Sequence, residues 1–334
     1  MQLPQMAELT TFFLLTIILA VSVISVGSSL QNFHVISATG RISYAHAPVF
    51  GWGGYITEIE QVIPILDDLK SDGYTAIRYW ARPKWLYGES PHNLNFDILD
   101  HLVNEAAKRG IVVYIDCAHN YPPSQYINES NRETWINEVI EVGLRYNNRS
   151  NVVLEPVNEY TGPDQVDLYN WAIARIRAAG IHLPLLWNFW WNQKNVALND
   201  PDNNYAIGRH FYGTAYDNYN PPIPITLEEA VQDSGIANSM YRYFYDPTQT
   251  FYLQEVIRLN IPNGWVITEL GPTDNEELIK NPSVGNMAYA MQFLREAAAN
   301  NVSVICYRIG SFSTKSLYEH KALEYFQEEF FTPP

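Results

Sequence analysis

The sequence predicts an α/β fold closed into a (β/α)8 TIM barrel, preceded by an N-terminal hydrophobic segment. Three observations carry that prediction. Strand-like and helix-like apolar patterns alternate along residues 45–334, in eight units. The strand-like runs are short and β-branched, without polar alternation, as in parallel strands buried on both faces. No Gly-x-Gly-x-x-Gly or Gly-x-x-x-x-Gly-Lys follows a strand, which removes the usual open-sheet nucleotide-binding folds.

The elements follow in order. Val49–Trp52 is the first strand, and Glu58–Lys70 its helix, with Pro64 in the first turn and Gly73 behind. Tyr74–Trp80 is the second strand. Phe96–Lys108 then places Ile98, Leu99, Leu102, Val103 and Ala106 on one helical face and ends before Gly110. Ile111–Asp116 is the third strand and Glu133–Tyr146 its helix. Val152–Val157 is the fourth, followed by helix Asp164–Ala179 and Gly180. Leu185–Trp190 is the fifth strand, its helix short or lost in 192–203. Tyr205–Phe211 is the sixth, leading into a long loop, 213–245, expected to form a wall of the site. Thr248–Leu259 is helical. Trp265–Thr268, helix Asn286–Ala299, strand Val302–Tyr307 and helix Leu317–Phe330 complete the series.

Composition narrows the function. Hydrophobic residues make up 47% and charged residues 17% of 334 positions, ample for a large core. A net charge of −15 argues against a nucleic-acid partner, because neutralising phosphates requires an excess of Lys and Arg. Aromatic content is high, with 9 Trp and 23 Tyr; many are expected in the core, but several fall in loops at strand ends, where aromatic faces can stack on sugar rings. Cys117 and Cys306 lie in or just after strands and read as small buried hydrophobes. No His-x-His or His-Glu-x-x-His occurs among the eight histidines, so neither metal nor cofactor is expected.

Residues 1–30 differ in kind. Thr10 to Val26 carries no charge, and Ser25-Val-Gly-Ser-Ser29 follows with small residues, although no Lys or Arg precedes it. This predicts a signal peptide or a membrane anchor through residues 10–26, with 31–44 a connector. Extracellular action, secreted or anchored, is the expectation. Sequons at Asn128, Asn148 and Asn301 agree with it.

Two strands end on a glutamate: Asn151-Val-Val-Leu-Glu-Pro-Val-Asn-Glu159 and Trp265-Val-Ile-Thr-Glu269-Leu-Gly. A buried carboxylate is costly unless paired or used. Barrel chemistry sits at the C-terminal mouth of the strands. That rim carries Arg78, Asp116, His119, Asn120, Asn158, Glu159, His210, Tyr212, Glu269, Tyr307 and Arg308.

Glu155-x-x-Asn158-Glu159, His210-x-Tyr212, Glu269-Leu-Gly and Arg78, each on its proper strand, resemble glycoside hydrolase family 5, the cellulase and β-mannanase family of clan A barrels. The resemblance covers most of residues 45–331. It implies a retaining hydrolase of β-1,4-linked glucan or mannan, with Glu159 as acid/base and Glu269 as nucleophile. It also implies that Asn158 meets the sugar 2-hydroxyl, that Tyr212 and Arg78 orient the nucleophile, and that His210 lines the site. Arg78 beside Glu269 would favour its charged form. Glu159 has no basic neighbour in sequence, which predicts a raised pKa suited to an acid.

The chain departs from the family pattern in three places. Asp116-Cys-Ala-His119 is one residue longer than Asp-x-His, Tyr160 replaces a proline, and Tyr307 stands where a tryptophan platform is usual. Trp80, Trp85, Trp187, Trp190 and Trp191 are candidate sugar platforms, whereas Trp135 and Trp171 read as helix packing. An exo-β-glycosidase or transglycosylase would use the same carboxylates. A non-catalytic carbohydrate-binding barrel is the reading from another class.

Overall fold

The structure is a computed structural model that describes residues 35–36, 42–43, 50–71, 73–84, 88, 90–119, 127–160, 162–189, 198–212, 264–271 and 303–307. The chain divides into two units, Met1–Phe33 and His34–Pro334, and the first lies outside the described residues. So do the segment 10–26, Trp85, Asn120, Trp190, Trp191, Asn301, Arg308, the long loop 213–245 and the three helices expected after it. No helix among the described residues is long and apolar enough to cross a membrane.

The second unit begins with a two-stranded antiparallel pair, β1 (Val35–Ile36) and β2 (Ile42–Ser43), where the sequence suggested only a connector. Eight parallel strands then close a barrel. They are β3 (Phe50–Gly54), β4 (Ala76–Trp80), β5 (Val112–Asp116), β6 (Val152–Glu155), β7 (Leu185–Asn188), β8 (Tyr205–Tyr212), β9 (Trp265–Gly271) and β10 (Ser303–Tyr307), with β10 pairing back onto β3.

Four described helices cover strands in turn: α1 (Val62–Ser71), α2 (Phe96–Arg109), α3 (Arg132–Tyr146) and α4 (Gln165–Ala178). Local chemistry fixes their ends. Asn95 Oδ1 accepts the N–H groups of Asp97 and Ile98 at the start of α2. Gly110 closes that helix at φ 68°, a left-handed conformation that side chains disfavour. Ahead of α1, Gln61 Oε1 reaches back to the N–H groups of Thr57 and Glu58. A β6 that stops at Glu155 reflects Pro156, which has no N–H to continue the ladder.

Two apolar layers result. Leu66, Leu69, Leu99, Leu102, Val139, Ile173 and Ile176 fill the space between helices and sheet. Inside the barrel, Ala76, Val112, Tyr114, Val153, Leu186, Ala206, Val266 and Ile305 form a separate plug. Gly51 belongs to that plug as bare backbone: a Cβ there would stand 3.0 Å from Ala76 Cβ and 3.2 Å from Ile305 Cγ1.

Outward alternation sends Trp187 into the helix layer, where it is fully buried with its ring 4.5 Å from that of Tyr169. It is core, not the sugar platform expected. Trp135 is buried as expected, its indole N–H donating to Pro156 O at 2.9 Å. Cys117 and Cys306 are buried and form no disulfide.

One backbone irregularity matters for the site. Between Arg209↔Ile267 and His210↔Glu269 the pairing of β8 and β9 shifts by one residue, and β10 meets the same shift between Val304 and Cys306. The extra residue in β9 is a β-bulge at Thr268–Glu269.

Candidate active site

Two residues above the apolar plug, the inward positions become polar. Ala76 is followed by Arg78, Tyr114 by Asp116, Val153 by Glu155, Leu186 by Asn188 and Val266 by Thr268. All five polar residues are buried, at 1% exposure or less.

Arg78 organises them. Its Nε donates to Glu155 Oε2 (2.8 Å) and its Nη2 to Glu155 Oε1 (2.6 Å), a bidentate pair. Nη2 also reaches Asp116 Oδ2 (3.0 Å) and Asn158 Oδ1 (2.5 Å), while Nη1 donates to Glu269 Oε1 (2.7 Å). Burial alone would disfavour the guanidinium charge, but Glu155, Asp116 and Glu269 hold it far above the ordinary range. One cation facing three carboxylates leaves the cluster short of positive charge. Burial accordingly raises Asp116 to about 7 and Glu155 to about 8, against the pull of Arg78.

The two strand-end glutamates converge on one imidazole. His210 Nδ1 is 2.5 Å from Glu159 Oε1 and 3.3 Å from Glu269 Oε2. Through one shared nitrogen, these two oxygens lie within about 6 Å of each other. Glu159 reaches this point from the turn after β6, four residues beyond Glu155. Glu269 reaches it by the bulge, without which alternation would turn it to the opposite face from Thr268.

Burial favours neutral forms, yet the charges of the trio outweigh it. Glu269 and Glu159 raise His210, and His210 lowers both glutamates, Glu269 with the help of Arg78. Glu159 is therefore lowered rather than raised, because the basic neighbour that sequence did not show is His210, 51 positions away.

His119 also arrives, despite its longer spacing. Ala118 N–H donates to Asp116 Oδ1 (3.2 Å) and His119 N–H to Ala81 O (2.8 Å), a turn that absorbs the added residue. The ring then places Nδ1 2.6 Å from Asp116 Oδ2. Burial lowers its pKa to about 3, so the imidazole is neutral. Trp80 stacks on that ring at 4.1 Å and 3°, with Tyr55 edge-on at 5.4 Å. At 5% exposure Trp80 supports His119 rather than offering the open platform expected of it.

Tyr212 and Tyr307 lie on β8 and β10, with side chains outside the described residues. Tyr160 packs its ring over Gly162 and donates to Asp164 Oδ1 (2.8 Å), pinning the turn that carries Glu159. Sequence reasoning missed Asn188 and Thr268 entirely. Their only signal was inward position on strands already identified. No group of three or more His, Cys, Asp or Glu suited to hold a metal ion occurs among the described residues.

A closed parallel barrel with paired carboxylates at its C-terminal mouth places them where barrel enzymes carry their chemistry. The sequence profile described as Cellulase (glycosyl hydrolase family 5) matches residues 37–313, and the chain belongs to that family. It is a glycoside hydrolase by that membership.

Among solved structures it is similar to Cel5A of Thermotoga maritima in complex with cellobiose, with a TM-score of 0.58 and 15% identity, over 84% of this chain and 97% of that one. It is similar too to a GH5-4 broad specificity endoglucanase from Clostridum cellulovorans (0.53, 14%, 84% and 93%). A GH5 family lichenase from Caldicellulosiruptor sp. F32 shows the same likeness (0.52, 19%, 79% and 83%). At these identities the likeness establishes the fold. Comparison with curated protein sequences finds no match.

Proposed function

We propose that the protein is a retaining, endo-acting β-1,4-glycanase, with Glu269 as nucleophile and Glu159 as acid/base. The observation that carries this reading is His210 Nδ1 held against both glutamates, which keeps their nearest oxygens within about 6 Å. Retaining enzymes hold their carboxyl groups roughly 5–5.5 Å apart, inverting ones roughly 6.5–9.5 Å. Arg78 keeps Glu269 charged and aimed, as a nucleophile requires. With Oδ1 taken by Arg78, Asn158 presents Nδ2 as a donor to a sugar hydroxyl.

Glu269 attacks the anomeric carbon as the bond to the leaving oxygen breaks, and Glu159 gives that oxygen its proton. The proton comes from the His210 imidazolium, one 2.5 Å hydrogen bond away, so the acid is charged with it when substrate displaces solvent. Water, deprotonated by Glu159, then releases the sugar from Glu269. Structural relatives solved with cellobiose or cellopentaose, and one described as a lichenase, favour a β-glucan over a mannan. Export through residues 10–26, as a cleaved signal or an anchor, is part of the same proposal, and N-terminal sequencing of the mature protein tests it.

The decisive experiment is incubation with an activated 2-fluoro β-cellobioside followed by peptide mass spectrometry. Label on Glu269 is the expected result, and label on any other residue overturns the assignment. Glu269→Gln should abolish hydrolysis while cello-oligosaccharide binding persists. Product sizes separate endo from exo action and from transglycosylation. A wild type that binds these glucans and cleaves none would mark a carbohydrate-binding barrel.

A further inference from the structure

Asn188 ends β7 with its side chain inside the barrel, 1% exposed and clear of the trio that would meet the sugar. Its amide joins two strands. Nδ2 donates to Glu155 Oε1, and Oδ1 accepts from Thr268 Oγ1 at 2.5 Å. Glu155 is the carboxylate that grips Arg78 with both oxygens. Thr268 is the residue of the β9 bulge directly before Glu269. One side chain is thus fastened to what sets the guanidinium and to what aims the glutamate.

Only a short amide meets these demands. Every contact of Glu155, from Arg78 Nε, Arg78 Nη2 and Asn188 Nδ2, is an N–H donor, whereas the Thr268 hydroxyl donates and needs an acceptor. Aspartate lacks the donor, and leucine lacks both groups. The backbone is held from the helix side as well, with Asn188 O accepting from Tyr169 Oη (2.5 Å) and Gln165 Nε2 (3.2 Å). Space for the amide comes from the next strand. Gly208 pairs with Asn188, and a Cβ on Gly208 would stand 2.0 Å from Asn188 Oδ1 and 2.8 Å from its Cγ.

We propose that Asn188 is a positioning residue of the hydrolytic site: by linking Glu155 to Thr268, in room left by Gly208, it holds Arg78 and Glu269 in mutual alignment. The proposal rests on the functional reading above for its kinetic consequence but not for its structural one.

Asn188→Asp, Asn188→Ala and Gly208→Ala test it together, since the last displaces the amide without removing it. Misplacing reacting groups by an ångström costs up to about a hundredfold, so kcat on soluble β-glucan should fall about ten- to a hundredfold in all three. KM should stay within about twofold, since no substrate contact is removed.

A thermal-unfolding cycle over pH 3–7 gives a readout independent of activity. Loosening Arg78 raises the folded pKa of Glu269, so the acid-side fall in Tm, which starts near the unfolded value of about 4.3 in both proteins, should be smaller in Asn188→Ala, with its lower end displaced to higher pH. That displacement should vanish when Glu269→Gln is added. Folded variants with unchanged kcat and an acid limb like wild type would overturn the proposal, as would additive effects in the cycle. A wild type inert on all glycans would instead end the hydrolase reading, and the unfolding cycle would still decide the role of Asn188.

Discussion

The lower barrel and the layer directly above it are built by the same strands, from side chains two residues apart, and they differ in everything but geometry. Below, Val112, Tyr114, Val153, Leu186 and Val266 fill the interior with apolar surface. Above, Arg78, Asp116, Glu155, Asn188 and Thr268 fill an equally buried interior with charge and hydrogen bonds. Burial is therefore not what separates core from site here. The lower layer gains from leaving water, whereas the upper one is tolerable only because nearly every polar group meets a partner. The lower layer is expected to answer for stability and the upper one for turnover.

That contrast is open to direct attack. The largest effect belongs to Arg78→Lys. A lysine ammonium cannot bridge Glu155, Asp116 and Glu269 together, and breaking a buried pair costs about 3–5 kcal/mol. Denaturant unfolding should show that loss, with hydrolysis falling further than stability alone explains. Next comes Val153→Ala in the plug. Two lost methyl groups should cost about 1.6 kcal/mol or somewhat more through the cavity, while kcat stays within about twofold.

His210→Gln sharpens the comparison through pH. His210 is raised in the folded state, so its stabilisation is full below about 6.5, the unfolded value, and is lost as pH rises through the folded one. Glu159 and Glu269 are lowered, so theirs is present above about 4.3 and lost as pH falls through their folded values. Asp116 and Glu155 are raised to about 7 and about 8, so their contribution is full below about 4 and is lost as pH climbs to those values. Wild-type Tm should therefore peak at about pH 4 and decline above it. The variant should lose part of its alkaline decline, and its rate profile should shift its alkaline limb by about one unit or more toward acid. The smallest change is expected from Trp80→Phe, which trims the stack on His119. About 0.5–1.5 kcal/mol of stability and a modest rise in KM should follow.

Much of the barrel was legible because parallel strands buried on both faces advertise themselves as β-branched runs. Gly110 marked the end of α2 within a residue. The glutamates were legible for the converse reason: a carboxylate ending such a run has no packing excuse. What escaped was everything decided across strands. His210 approaches Glu159 through the closure of the sheet, a contact no local spacing encodes. Trp187 and Trp80 belonged to tryptophan-rich strand ends, but one turns outward and the other is covered by His119. Asn188 looked like one more strand residue until the chain was folded.

The shifted pairing in β9 has a consequence for how such a site tolerates change. Thr268 and Glu269 both face inward because the strand carries one residue more than its neighbours require, not because of any side-chain preference. Deleting Thr268 would restore regular pairing, with the hydrophobic floor intact and Glu269 still opposite His210. What the insertion adds is a second consecutive inward side chain, so the site would keep its glutamate and lose the hydroxyl that Asn188 holds.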